Sequence, residues 1–78
     1  MQIDPYNVWV AVTPSDSVDL PALTEAIWAG GAGVIAAVEQ DGGVVNFTCV
    51  AGTLVPIKAR RINSTNTTAT ALVALYRQ

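Results

Sequence analysis

The side chains that could do chemistry are few. The 78-residue chain contains no histidine, so neither a Ser–His nor a Cys–His nucleophile pair can be assembled, and the common structural zinc sites are excluded. Cys49 is the single cysteine. It lies beside Phe47 in a strand-like run, where a small buried hydrophobe is expected rather than a reactive thiol, and no internal disulfide can form. Ser15, Ser17 and Ser64 all sit in turn-like contexts. Asp16, Asp19 and Glu25 could gather round a cation, but their spacing does not match the calcium loop, and turn capping is the expected role. Gly30-Gly-Ala-Gly lacks the Lys-Ser/Thr and the helix of a phosphate loop and reads as a turn. Asn46-Phe-Thr, Asn63-Ser-Thr and Asn66-Thr-Thr match the glycosylation acceptor pattern, and without a secretory signal they read as chance matches in a Thr-rich chain. The residues thus offer no catalytic, cofactor-binding or metal site.

The charged residues are informative by position. Lys58, Arg60, Arg61 and Arg77 are all the cations, and every acid (Asp4, Asp16, Asp19, Glu25, Glu39, Asp41) precedes them. One end of the chain is therefore expected to meet the other, within a subunit or between copies. Lys58, Arg60 and Arg61, with Asp16, Asp19 and Tyr76, form the candidate interface set, since arginine's fork of donors suits interfacial ion pairs. The net charge of −2 argues against nucleic-acid binding, which is driven by cations on phosphates.

Length allows one domain, marginal on its own core. With 51% hydrophobic and 13% charged residues, the chain is rich in apolar surface for a lone small monomer. Oligomerisation or docking is the expected supplement. The longest uncharged apolar stretch, Ile27 to Val38, has 12 residues, against roughly 20 for a spanning helix. Residues 1–7 have neither a basic region nor an apolar run, so no signal peptide and no membrane role is expected.

The elements that position these residues read as strands. Residues 1–7 contain Asp4-Pro5 and are expected to be an extended arm; 8–78 form the domain. Val8–Val12 is apolar on both faces and is expected to be covered on both. A turn at 13–17 and an irregular loop lead to a short strand at about 25–29, and the Gly30–Gly33 run is expected to allow a tight reversal. Val34–Glu39 and Val44–Val50 flank Asp41-Gly42, a strong hairpin signal. Within Val44–Val50, Val45, Phe47 and Cys49 share a face opposite Asn46 and Thr48. Leu54–Ile62 reads as a strand, on an edge or bulged at Pro56, with a bulge or strand end at Arg60-Arg61. It is expected to form a hairpin with residues 69–76 across the polar loop Asn63–Thr68. The fold class is all-β: a small antiparallel sandwich or barrel of about six to seven short strands.

Taken in order, Val12-Thr-Pro-Ser-Asp-Ser, Asp19-Leu-Pro, Gly30-Gly-Ala-Gly, Val45-x-Phe, Gly52-Thr-x-x-Pro-Ile-x-x-Arg-Arg and Thr67-Thr-Ala-Thr-x-Leu-x-Ala-Leu-Tyr resemble the head spike base proteins of gene transfer agents and related tailed phages. The resemblance covers about residues 8–76 and leaves residues 1–7 outside. It implies a structural virion protein at a capsid vertex, made in a bacterial host's cytoplasm and assembled as a ring that carries a fibre. The implied partners are further copies, the major capsid protein and the spike or fibre protein, with no enzymatic activity and no cofactor. A capsid cement or decoration role and a tail-tip adaptor are the alternatives. A glycan- or peptide-binding β module outside any particle is the further one.

Overall fold

The computed structural model describes residues 6–77. Of the expected arm, residues 1–5 lie outside the described residues. Seven strands, β1 (Val8–Ala11), β2 (Ala26–Ala29), β3 (Gly33–Val38), β4 (Val44–Cys49), β5 (Thr53–Val55), β6 (Arg61–Ile62) and β7 (Leu72–Tyr76), form two antiparallel sheets. The first has the order β1-β7-β2-β5 and the second β4-β3-β6. The expected all-β architecture is present, and there is no helix among the described residues.

The period-2 alternation of strands decides what lies between the sheets. In the first sheet one inward row crosses all four strands: Val10, Ala74, Ile27 and Val55 are register partners. Ile27 and Ala74 are completely buried there. From the second sheet Ile35, Ala37, Cys49 and Ile62 complete the core. Cys49 is buried as expected, its thiol 3.4 Å from the Gly33 carbonyl. The β3–β4 hairpin is also as expected, closed by Glu39 N–H to the Gly43 carbonyl (2.8 Å), with Gly42 at φ 99°.

Four expectations need correction. First, no hairpin joins the 52–62 stretch to β7: β5 pairs with β2, β6 with β3, and β7 lies between β1 and β2. The polar loop instead finishes the edge of the second sheet. Thr67 and Thr68 hydroxyls accept from Ala36 and Val34 N–H (3.0 and 2.9 Å), where another strand would otherwise be needed. Second, Leu54–Ile62 is two strands rather than one. Pro56 cannot donate to a ladder, and a three-residue turn centred on it (Ile57 N–H to Val55 carbonyl, 2.9 Å) sends the chain from one sheet to the other. Third, the Gly30–Gly33 run makes no tight reversal, because β2 and β3 belong to different sheets. It is a corner at which Gly30 and Gly31 N–H bond the Ala71 and Thr70 carbonyls. A Cβ on Gly30 would stand 2.8 Å from that of Ala71. Fourth, β1 is covered on one face only, and Trp9 is 71% exposed.

Candidate functional site

Trp9 belongs to the outer face of the first sheet, which is the apolar surface this fold leaves open. Register places Ala11, Val73, Trp28 and Leu54 in one row across the four strands, with Trp9, Leu75 and Ala26 in the next. Trp28 and Leu54 are 40% and 41% exposed. The two indoles wall a shallow depression of about 480 Å³, floored by Val73 and Leu75. Trp9 Nε1 donates to the Tyr6 carbonyl at 2.8 Å, so this indole can be covered without stranding its one donor. Every β7 residue is therefore committed: Leu72, Ala74 and Tyr76 to the core, Val73 and Leu75 to this face.

A second, smaller concavity opens between the sheets at the β3–β4 hairpin. It holds about 250 Å³ and is lined by Ala37–Glu39, Gly43, Val45, Phe47 and Ile57–Ala59. Thr24 holds its third wall. The Thr24 side chain is completely buried; its Oγ1 donates to the Ile57 carbonyl (2.8 Å) and accepts from Ala59 N–H (2.9 Å). These are the bonds a neighbouring strand would have made.

The charged residues expected at an interface meet inside the subunit. Arg61 Nη1 lies 3.0 Å from Asp19 Oδ1, and Arg61 Nε donates to Asn63. Arg60 Nε stands 3.5 Å from the other Asp19 oxygen without hydrogen-bond geometry, so that contact is one of charge alone; its Nη1 donates to the Gln40 carbonyl. Lys58 and Arg77 share Glu25, at 2.7 and 3.1 Å, and in that order hold its carboxyl below the usual range. Asp16 accepts from both the hydroxyl and the N–H of Thr65, which lowers its pKa. The three acids considered for a cation are thus dispersed to separate partners. No group of three potential ligands occurs among the described residues. Tyr76 lies in the core, 4% exposed, and burial pushes its phenol up.

The two concavities were not singled out by the sequence. The available signal was that two tryptophans stood in strands already supplied with enough smaller apolar residues for one core.

Comparison with known proteins gives this arrangement a context. No family model matches the chain, and no curated protein matches it. Among solved structures, a chain from the capsid of a native gene transfer agent particle, computed with C5 symmetry, matches with a TM-score of 0.85 and 31% identity, over 91% of this chain and 83% of that one. The chain belongs to the capsid-related proteins of gene transfer agents and phages. It is accordingly a virion structural protein.

Proposed function

We propose that this protein is an oligomeric base or adaptor on the capsid, placed at a vertex, that anchors a spike or fibre and carries out no catalysis. The observation behind this reading is the open outer face of the first sheet, with Trp9, Trp28, Leu54, Val73 and Leu75 together on a subunit whose core is complete without them. Covering the exposed parts of the two indoles would remove on the order of 200 Å² from water, about 5 kcal/mol before the costs of association. Buried aromatics at the centre of a patch are the usual anchors of an interface. Away from this face, Val44 and Val50, on and after edge strand β4, are 51% and 69% exposed. Copies repeated round a symmetry axis would multiply each modest contact through effective concentration.

The alternative of a glycan-binding module is less well supported. The residues lining the depression are Trp9, Trp28, Val73 and Leu75. Indole N–H groups are the only side-chain hydrogen-bonding groups among them, too few for the polar contacts a sugar requires. The test is the composition of purified particles. Native particles should contain the chain together with the spike or fibre protein. Particles from a producer carrying Trp28→Gln should lose both, with capsids otherwise intact. Native particles lacking the chain would overturn the proposal.

A further inference from the structure

Each sheet has two edges, and the chain treats them differently. Beside β6 the 13–20 loop covers the backbone: Ser15 N–H bonds the Ile62 carbonyl and Leu20 N–H that of Arg60, at 2.9 and 2.8 Å. β5 is three residues long and runs into Pro56, which has no donor. β1 bonds β7 through its even-numbered residues, in step with Val12 N–H to the Leu72 carbonyl, and leaves Trp9 and Ala11 on its open side. β4 is different. It is six residues long and contains neither a charge nor a proline, the usual devices that blunt an edge. Its neighbour β3 turns Val34, Ala36 and Val38 away from it, toward Thr67, Thr68, Asn63 and Arg60. By register, Val45, Phe47 and Cys49 therefore bond β3, while Val44, Asn46 and Thr48 point their N–H and C=O groups outward. None of these outward groups has a partner among the described residues. We propose that β4 accepts an added strand: an extended segment of a different polypeptide, apolar at alternate positions and basic at the end nearest the hairpin turn. The inference rests on the adaptor reading for the existence of a partner and says how that partner is held.

The inner face of β4 supports the same occupant. Val45 faces the other sheet and lines the 250 Å³ cavity with Phe47, yet it is 52% exposed, because β4 is the last strand of its sheet. A strand laid beside β4 would point alternate side chains to the same side as Val45 and Phe47. They would meet the cavity, whose other apolar walls are Ala37, Val38, Ile57 and Ala59. Main-chain bonds would then hold the segment, and the cavity would select its side chains. Only an extended backbone matches donors and acceptors that recur at every second residue. A folded second copy fits less well. Its β1 opens at Trp9 and Ala11 alone, against Val44, Asn46 and Thr48, and its own β4 would bring another cavity rather than a side chain to fill this one. Charge sets the direction of the segment. Glu39 on the rim and Asp41 in the turn are exposed and have no ion pair among the described residues. Lys58, the cation on the rim, is held by Glu25 at 2.7 Å. A basic residue at that end of the incoming segment would meet the two unpaired carboxylates.

The test reads backbone amides by hydrogen exchange, resolved to single residues by mass spectrometry. In the purified chain the Val44, Asn46 and Thr48 amides should exchange freely, while those of Val45 and Phe47, bonded to β3, are protected. In native particles the three outward amides should slow on the order of a hundredfold or more. A photo-crosslinking amino acid placed at position 46 should join the chain to a different polypeptide in those particles. Asn46→Pro removes one outward donor and no ladder bond. It should lower retention of the chain on particles about tenfold, the worth of one backbone hydrogen bond, while Asn46→Ala keeps the donor and is retained. Thermal unfolding checks that the proline variant is folded, and the exchange comparison needs no variant. Particles that carry the chain with these amides still exchanging freely, a crosslink to second copies alone, or a folded proline variant retained like native would each overturn the added strand and leave the adaptor reading standing. Native particles without the chain would remove both.

Discussion

Replacing Thr24 by valine keeps the side chain's shape and removes its hydroxyl. The hydroxyl serves two backbone groups 33 and 35 residues away, the Ile57 carbonyl and the Ala59 N–H. Ala59 is 1% exposed, so its amide would be stranded away from water, at about 1–3 kcal/mol. The Ile57 carbonyl is only partly buried and can recruit water, so its loss is nearer 0.5–1 kcal/mol. The sum, about 1.5–4 kcal/mol, is a large share of the ~4–12 kcal/mol that a chain of this length is expected to have. In urea, with a slope near 1 kcal/mol per M for a small domain, the midpoint should fall by about 1.5–4 M. Thr24→Ser keeps the hydroxyl and should lose far less. A Thr24→Val midpoint within about 0.5 M of native would refute the argument that this hydroxyl stands in for a missing strand.

Three further outcomes are expected. Gly33→Ala should destabilise more than Gly52→Ala in thermal unfolding: both glycines have positive φ, but a Cβ at 33 would lie 2.6 Å from the Ala69 nitrogen, while at 52 it meets nothing within 4 Å. Acid should weaken the fold. The Asp16 and Glu25 carboxyls titrate below their ordinary 3.8 and 4.5 in the folded state, so their contribution is full above those values and is lost as pH falls through the lowered ones; Asp16→Asn should flatten that decline in melts between pH 6 and 3. Arg61→Glu should reduce assembly and stability more than Arg60→Glu, because Arg61 makes the shorter contact to Asp19 and its side chain is 19% exposed against 37%, while the more open pair is worth little.

The sequence carried the strands and their facing more reliably than their partners. The face shared by Val45, Phe47 and Cys49 appears as read, because period 2 is a local property of the backbone. Pairing is not local. Leu54 and Val73 lie in the same cross-strand row only because Trp28 sits between them, and nothing near either residue announces a third strand. Thr67 and Thr68 read as loop because threonine hydroxyls standing in for a strand leave no hydrophobic signature. The separation of acids from bases did convey that the chain's two ends meet, as Asp19 with Arg61 and Glu25 with Arg77. It could not convey whether they meet within a subunit. The functional surface was legible only as an excess of apolar residues. Whether Trp9 or Val10 receives the core depends on which face of β1 the second sheet covers, and that is fixed by the whole topology.

The most direct test of the adaptor account is a cryo-electron-microscopy reconstruction of the native particle, with the vertices refined under fivefold symmetry. The account predicts a ring of this chain between capsid and fibre, with the Trp9–Trp28 face buried against a partner. It would be contradicted by particles whose vertices and tail contain no density for this chain, or by a bound chain with both indoles open to solvent.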